Sequence, residues 1–228
     1  VNVIGSINLF EIMKKYNCNT MVFSSSATLY VQKENSLLSE SSELDPINTY
    51  GKTKLTIEII LKDIFEASIT NLKMASLRYF NPIGAHFSGL IGENPVGKPN
   101  NIFPLIINAA LGISQKFEVF GNDWPTPDGT CIRDYIHVED LASAHILALK
   151  SGVKGDYNLG RGKGDSVYEI IKTCREITDH PIPIKELPAR PEEPAELVAS
   201  KEKALTQLGW KAKHHSTESI IEIAWAWM

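Results

Sequence analysis

Apolar positions near the start of the chain fall at Val3, Ile7, Phe10 and Met13, within VNVIGSINLFEIMKKYN. That three- and four-residue spacing marks one face of a helix. TMVFSSS then reads as a short buried strand ending in hydroxyls, and a polar loop covers residues 31–48. A helix is predicted from about Thr49 to Ala67, and LKMASLRYF is the next strand. NPIGAHFSGLIGENPVGKPNN is a long loop rich in Gly, Pro and Asn, and such loops are commonly functional. IFPLIINAALG follows as an apolar helix, KFEVFG as a strand and DWPTPDGTCIRD as a turn-rich loop. YIHV with EDLASAHILALK, then DYNLG with SVYEIIKTCREI, repeat a strand-then-helix order. PIPIKEL is a last short strand, with helices at residues 201–208 and 218–227.

Strands alternating with helices predict an α/β fold with a parallel sheet and right-handed crossovers. Residues 1–80 read as part of a doubly wound nucleotide-binding sheet. Residues 81–228 read as a smaller α/β region with segments returning to that sheet. A compact α/β domain seldom opens on a helix with no strand before it, so strands of the sheet are expected upstream of Val1.

Composition narrows the class. The chain has 228 residues, 43% of them hydrophobic, enough to bury a core. A net charge of −4 without a basic run offers no footprint for nucleic acid or an anionic membrane. No apolar run approaches the length of a bilayer span. Three cysteines, widely spaced and odd in number, predict neither a disulfide framework nor a zinc site, and point to a cytoplasmic setting.

The chemistry begins with PINTYGKTK, where Tyr50 and Lys54 stand four apart. On a helix that spacing puts both on one face. An ammonium beside a phenol favours the phenolate and lowers a pKa that rests near ~10. Tyr50 is then expected to serve as a general base or acid near neutral pH. An isolated Tyr-x-x-x-Lys is more often an ordinary surface pair, so its neighbours decide. SSSATLY supplies hydroxyls at the carboxyl end of a strand, where doubly wound folds bind ligands.

Ser, Tyr and Lys in this order resemble the catalytic set of the short-chain dehydrogenases/reductases. FSSSATLY, TYGKTK, LRYFNPIGAHFSGLIGE, GKPNNIFP, VFGND, DGTCIRDYIHVEDLA and YNLGRGKGDSV cover nearly the whole chain in order. Together they resemble the UDP-glucose 4-epimerases, extended members of that superfamily. The resemblance implies a Rossmann-type sheet and bound NAD, with UDP-glucose and UDP-galactose as substrates in galactose metabolism. It makes Tyr50 the catalytic base, Lys54 its pKa partner and ribose holder, and Ser26 the hydrogen-bond partner of the sugar's 4-hydroxyl. Asn2, Ser24, Tyr79 and Phe80 would join Ser26, Tyr50 and Lys54 around the cofactor. Asn81 would meet the diphosphate, Asn100, Asn101 and Ile102 the nucleotide-sugar, and Glu118, Val119 and Phe120 the uracil. Arg133 and Arg190 would neutralise the diphosphate, with Glu193 beside the substrate. A homodimer is implied by family habit.

Plainer readings stand beside these. Arg133 could pair with Asp134, and Tyr79 and Phe80 could be core aromatics. His137 and His145 read as structural histidines, with no metal expected. GRGKG, at residues 160–164, reads as a strand-to-helix turn because it lacks Walker spacing. The tryptophans of AWAWM read as helix packing.

The chain also departs from the family. It lacks the glycine-rich turn that binds a cofactor pyrophosphate at a helix N-terminus. Roughly ~100 residues of a family-length chain are therefore expected upstream. This stretch alone is expected to bind NAD poorly, to turn over little, and to expose an apolar sheet edge. Val31 stands where the family has glycine, so the backbone there must avoid positive φ. RPEEPAEL puts Glu192, Glu193 and Leu197 in place of the usual R-x-G-D run and aromatic, which weakens the case for Arg190. The rival readings are a nucleotide-sugar dehydratase or decarboxylase, and a non-catalytic remnant that binds nucleotide-sugar or a partner.

Overall fold

The computed structural model describes residues 1–31, 37–67, 73–191 and 193–228. In chain order the first elements are α1 (Asn2–Lys15), β1 (Thr20–Ser26), a 3-10 turn (Ala27–Leu29), α2 (Thr49–Ala67), β2 (Lys73–Tyr79) and β3 (Asn81–Ile83). Then come α3 (Ile102–Ala110), β4 (Phe117–Phe120), β5 (Ile132–Arg133), β6 (Tyr135–His137), α4 (Val138–Ser151) and β7 (Gly155–Leu159). The remainder is β8 (Asp165–Ser166), α5 (Val167–Thr178), β9 (Ile184–Leu187), β10 (Glu196–Leu197), α6 (Glu202–Gln207) and α7 (Thr217–Trp227).

The sheet that carries the chemistry has the order β1-β2-β7, all parallel. Its register pairs Ser26 with Tyr79 and Tyr79 with Leu159. The three carboxyl ends therefore finish on one edge, and Ser26 and Tyr79 arrive there as neighbours. β7, from the later part of the chain, pairs with β2 in this sheet. Leu77 and Leu159 are fully buried in this sheet, against Leu141, Ala144 and Ala148 of α4 and Trp210. The indole N–H of Trp210 donates to the Asp140 carbonyl at 3.0 Å, so the aromatic bulk enters the core with its polar atom satisfied.

On the other face, Phe10 of α1 and Ile57 and Leu61 of α2 pack with Phe23 and Met74. Phe10 belongs to the helical stripe read from the sequence. Ile4, Leu9 and Ile12 of α1, and Tyr16 just after it, are exposed. β1 is the outermost described strand of its sheet.

Beyond Phe80 three small sheets form, β10-β5-β8, β3-β6 and β4-β9, with β5–β8 the antiparallel pair. A separate core joins Phe103, Ile106 and Ile107 of α3 to Ile170, Ile171 and Cys174 of α5 and Ile220 and Ile221 of α7. Trp225 packs against that core, as read. α5 starts with a capping box, Ser166 and Glu169 each accepting the other's backbone N–H. Residues 160–164 connect β7 to β8 and α5, as expected. Val31 is not among the non-glycine residues with positive φ. Residues 32–36 of the predicted polar loop, and Glu192, lie outside the described residues.

Candidate active site

At the carboxyl end of β1 the chain turns at Ser26. Its Oγ accepts from the Thr28 backbone N–H at 3.2 Å and from the Thr28 hydroxyl at 3.0 Å. Two acceptances fill both lone pairs and leave the serine's own proton to give outward. Helix α2 begins against this turn. The Asn48 carboxamide accepts the Gly51 N–H at 2.8 Å, and a Cβ on Gly51 would stand 2.6 Å from the Thr28 carbonyl oxygen. Gly51 is what lets the helix carrying Tyr50 press onto the serine turn. That contact was not read from TYGKTK, because spacing along a helix says nothing of what its first turn touches.

Tyr50 is 51% exposed at this helix start. The Lys54 ammonium lies 5.6 Å from the centre of the Tyr50 ring and 5.0 Å from that of Phe23. It donates to the Ser24 carbonyl at 2.8 Å, leaving two of its three N–H donors for a ligand. Amine and phenol thus share one side of α2, facing the serine triplet, as the four-residue spacing requires. The expected lowering of the phenol does not occur in this state. Partial burial raises the Tyr50 pKa and lowers that of Lys54. The ammonium is held by the Ser24 carbonyl and lies 5.6 Å from the ring centre. Asn2 donates to Thr53 at 3.2 Å, and Thr53 donates to the Tyr50 carbonyl at 2.8 Å, which ties α1 to the start of α2.

Tyr79, next to Ser26 across the sheet, has its hydroxyl 2.7 Å from that of Ser24 and meets the Nε2 of His145. Burial pushes the Tyr79 phenol up, Ser24 moderates this, and the nearby Tyr50 phenol adds to it. Ser24, Tyr50, Lys54 and Tyr79 therefore form one cluster. Phe80 goes elsewhere: it is buried with Ala27, Tyr30, Leu38, Leu197 and Ala199, as a core aromatic under the site.

The phosphate-side candidates gather on the small sheets. Asn81 lies opposite Tyr135 in the β3–β6 pair, and its backbone N–H donates to the Asp134 carbonyl at 2.9 Å. Arg133 is buried, with one guanidinium nitrogen donating to the Ile132 carbonyl at 2.8 Å and the Ala195 carbonyl at 3.3 Å. It does not pair with Asp134. That carboxylate accepts the backbone N–H groups of Arg161, Gly162 and Ala199 at 2.8, 2.9 and 3.2 Å. Arg190 lies with its guanidinium carbon 3.7 Å from the centre of the Phe120 ring, and 4.0 Å from Glu193. Cys131 senses this group: burial raises its thiol, Arg133 and Arg190 lower it, and Glu193 raises it. Val119 is buried while Glu118 of the same strand is exposed. Asn101 starts α3 and donates to Glu93 at 2.5 Å, with Asn100 exposed and Ile102 half-buried beside it. Asn101 also lines a cleft of about 380 Å³ between the long loop and α4.

Among the described residues, one set with ligand-like spacing is His137, Glu139 and His214. The two imidazoles stack with centres 3.9 Å apart and planes 28° from parallel, so their in-plane lone pairs do not converge on one point. His137 Nδ1 accepts the Glu139 N–H at 3.2 Å as the N-cap of α4. Its Nε2 is buried without a hydrogen-bond partner, beside Gly84, where a Cβ would collide with the ring. Burial, then His214, lowers the His137 pKa against the opposing pull of Glu139 and Asp140. A native imidazole that resists protonation leaves the unfolded state to take up the proton. Stability present above about pH 6.5 is therefore lost as pH falls toward the lowered native value. Urea denaturation at pH 7.5 and 5.5 should show weaker folding at the lower pH, by at most about 1.4 kcal/mol per pH unit from this residue. His137→Asn, which preserves a capping side chain, should flatten that slope.

A model of the NAD dependent epimerase/dehydratase family matches residues 1–160. A bifunctional UDP-glucose 4-epimerase and UDP-xylose 4-epimerase of Pisum sativum is 45% identical over 99% of this chain and 66% of its own length. The UDP-glucose 4-epimerase of Bacillus subtilis is 44% identical over 99% of the chain and 67% of its own length. The chain thus spans about two thirds of these relatives. A UDP-glucose 4-epimerase from Stenotrophomonas maltophila, solved with NAD and formylated UDP-arabinopyranose, superposes with a TM-score of 0.94. It is 42% identical, and the match covers 99% of this chain and 68% of that one. The Bifidobacterium longum enzyme, solved with NAD+ and UDP, gives 0.93 at 40% identity over 99% of this chain and 68% of its own.

Proposed function

Because the chain belongs to the NAD dependent epimerase/dehydratase family, we propose that it carries the proton-transfer and UDP-sugar-binding parts of a UDP-glucose 4-epimerase. The observation that carries this reading is the arrangement at the end of β1. The Tyr50 phenol, the Lys54 ammonium and the outward proton of Ser26 lie on one edge of a parallel sheet. The donor set fits a dinucleotide, since Ser24, Tyr79, Asn2 and the free donors of Lys54 suit ribose hydroxyls and a carboxamide. NAD+ bound there would supply the acceptor and later the donor of hydride at sugar C4.

The chain's own residues do the rest. Tyr50 takes the proton of the 4-hydroxyl as C4 is oxidised and returns it after the keto sugar has turned over. Ser26 gives a hydrogen bond to the same oxygen and holds it beside Tyr50. Lys54, freed from the Ser24 carbonyl by a ribose hydroxyl, could swing toward the phenol and supply the lowered pKa that the ligand-free arrangement does not show. Arg133 holds the diphosphate with the guanidinium nitrogens it does not spend on carbonyls, so the sugar turns while UDP stays fixed. Arg190, stacked on Phe120 and near Glu193, contributes less to that charge. UDP-glucose and UDP-galactose are the partners this geometry supports. A homodimer rests on family habit, and a cytoplasmic location agrees with substrates of this kind. No helix among the described residues is long and apolar enough to cross a membrane.

Arg133→Ala should weaken UDP binding in calorimetry by roughly 10- to 100-fold, the worth of one charge-assisted pair. Arg133→Lys should recover only part, because a point charge cannot make the planar fork. Arg190→Ala should cost less than Arg133→Ala, and the reverse order would move the diphosphate to the other arginine. Product analysis with UDP-glucose and NAD+ tests the reaction itself. UDP-galactose is the expected product, whereas a keto-deoxy sugar would identify a dehydratase; a decarboxylase would leave UDP-glucose unchanged and act only on the matching uronic acid. UDP binding without any sugar product would favour the remnant.

A further inference from the structure

His145, on the sheet-facing side of α4, belongs to none of the roles above, yet it touches Tyr79 directly. Its Nδ1 lies 2.8 Å from the carbonyl oxygen of Leu141 one turn earlier. A carbonyl only accepts, so that nitrogen carries a proton. Nε2 meets the Tyr79 hydroxyl, whose other neighbour is Ser24 Oγ at 2.7 Å. The rings of Tyr79 and His145 are tilted by 57° with centres 5.5 Å apart.

Tyr79 has one proton to give, which leaves two arrangements. With a neutral ring, Nε2 accepts from Tyr79, Tyr79 accepts from Ser24, and Ser24 shows lone pairs to the pocket. With a protonated ring, Nε2 donates to Tyr79, Tyr79 donates to Ser24, and Ser24 has its proton free for the pocket. One proton on the imidazole therefore reverses two hydroxyls and turns the exposed Ser24 from acceptor to donor. The groups facing this relay are Ser24 from β1, Tyr79 from β2, Tyr50 and Lys54 from α2, and the Leu141 carbonyl of α4 itself. Lys54 is bound to the carbonyl of the same Ser24, so the relay ends at the catalytic pair.

We propose that His145 is a positioning residue of this site, setting through Tyr79 whether Ser24 offers a donor or an acceptor to the carboxamide of a bound nicotinamide. The inference rests on the epimerase reading for its ligand, but the coupling of the three side chains does not. Protein labelled with 15N-histidine, followed by 1H–15N correlation across pH, tests the coupling without any turnover. His145→Asn assigns the resonances. His145 is expected as the Nδ1–H tautomer, and Tyr79→Phe is expected to move its Nε2 resonance, because that nitrogen loses its hydrogen-bond partner. An Nε2 resonance unchanged in Tyr79→Phe would overturn the proposal.

The functional arm uses UDP-glucose with excess NAD+. His145→Phe should lower kcat about tenfold with the KM for UDP-glucose unchanged, as a small misplacement of a positioning shell does. His145→Gln, whose amide can still meet the phenol, should restore most of it. Equal kcat in all three proteins overturns the positioning role. A keto-deoxy sugar formed by a wild type whose spectra still show the coupling overturns the epimerase reading instead, so the two failures are distinguishable.

Discussion

Tyr50→Phe is expected to lower epimerisation on the order of 10²- to 10⁴-fold, the range for loss of a positioned acid–base group. UDP affinity should stay unchanged. The substitution removes one oxygen from a ring that is half exposed, so it leaves no cavity and no orphaned buried donor. What it removes is the atom to which the proposed mechanism assigns uptake and return of the 4-hydroxyl proton. Ser26→Ala should cost less, because that residue holds the oxygen without receiving its proton. Initial rates of UDP-galactose formation, paired with calorimetry of UDP, separate these effects. A loss of less than tenfold in Tyr50→Phe would move the proton transfer to another hydroxyl, and Tyr79 with Ser24 would be the next candidates.

Asp134→Ala should lower stability by at least about 2 kcal/mol against a typical total of 5–15. The carboxylate is fully buried and accepts three backbone N–H groups, buried at Arg161 and Ala199 and half-buried at Gly162. An unsatisfied buried donor costs about 1–3 kcal/mol, so the two buried ones set that lower bound. Burial raises the Asp134 pKa to about 6, and the three N–H groups hold it down. The residue stands between Arg133 and Tyr135 and clamps the turn after β7 to the segment that follows Arg133 of β5. Asp134→Asn keeps one oxygen and should fall between wild type and alanine in a denaturant midpoint. A midpoint for Asp134→Ala equal to wild type would mean that the three donors find water.

The long elements were legible in the sequence because each has a period long enough to detect. The helix predicted from Thr49 to Ala67 has those bounds in the structure, and TMVFSSS is β1 residue for residue. β3, β5, β8 and β10 were not legible. With two or three residues each, they have no period and exist because distant segments pair with them.

The same division holds at the site. Tyr50, Lys54 and Ser26 stood out through order and spacing. His145 did not, since its partner Tyr79 is 66 residues away and a histidine on an amphipathic helix looks structural. Spacing also misjudged the electrostatics. It placed ammonium and phenol on one face of α2, but it could not show that the amine would be spent on the Ser24 carbonyl and the phenol partly shielded from water.

The account stands on hydride leaving and returning to one sugar carbon while Tyr50 carries the proton. UDP-glucose deuterated at C4, held with concentrated protein and excess NAD+, tests this most directly. The predicted result is slow formation of UDP-galactose that retains its deuterium at C4, and none with Tyr50→Phe. Deuterium found at C6 of a dehydrated sugar, or no galactose at all despite bound UDP, would contradict it.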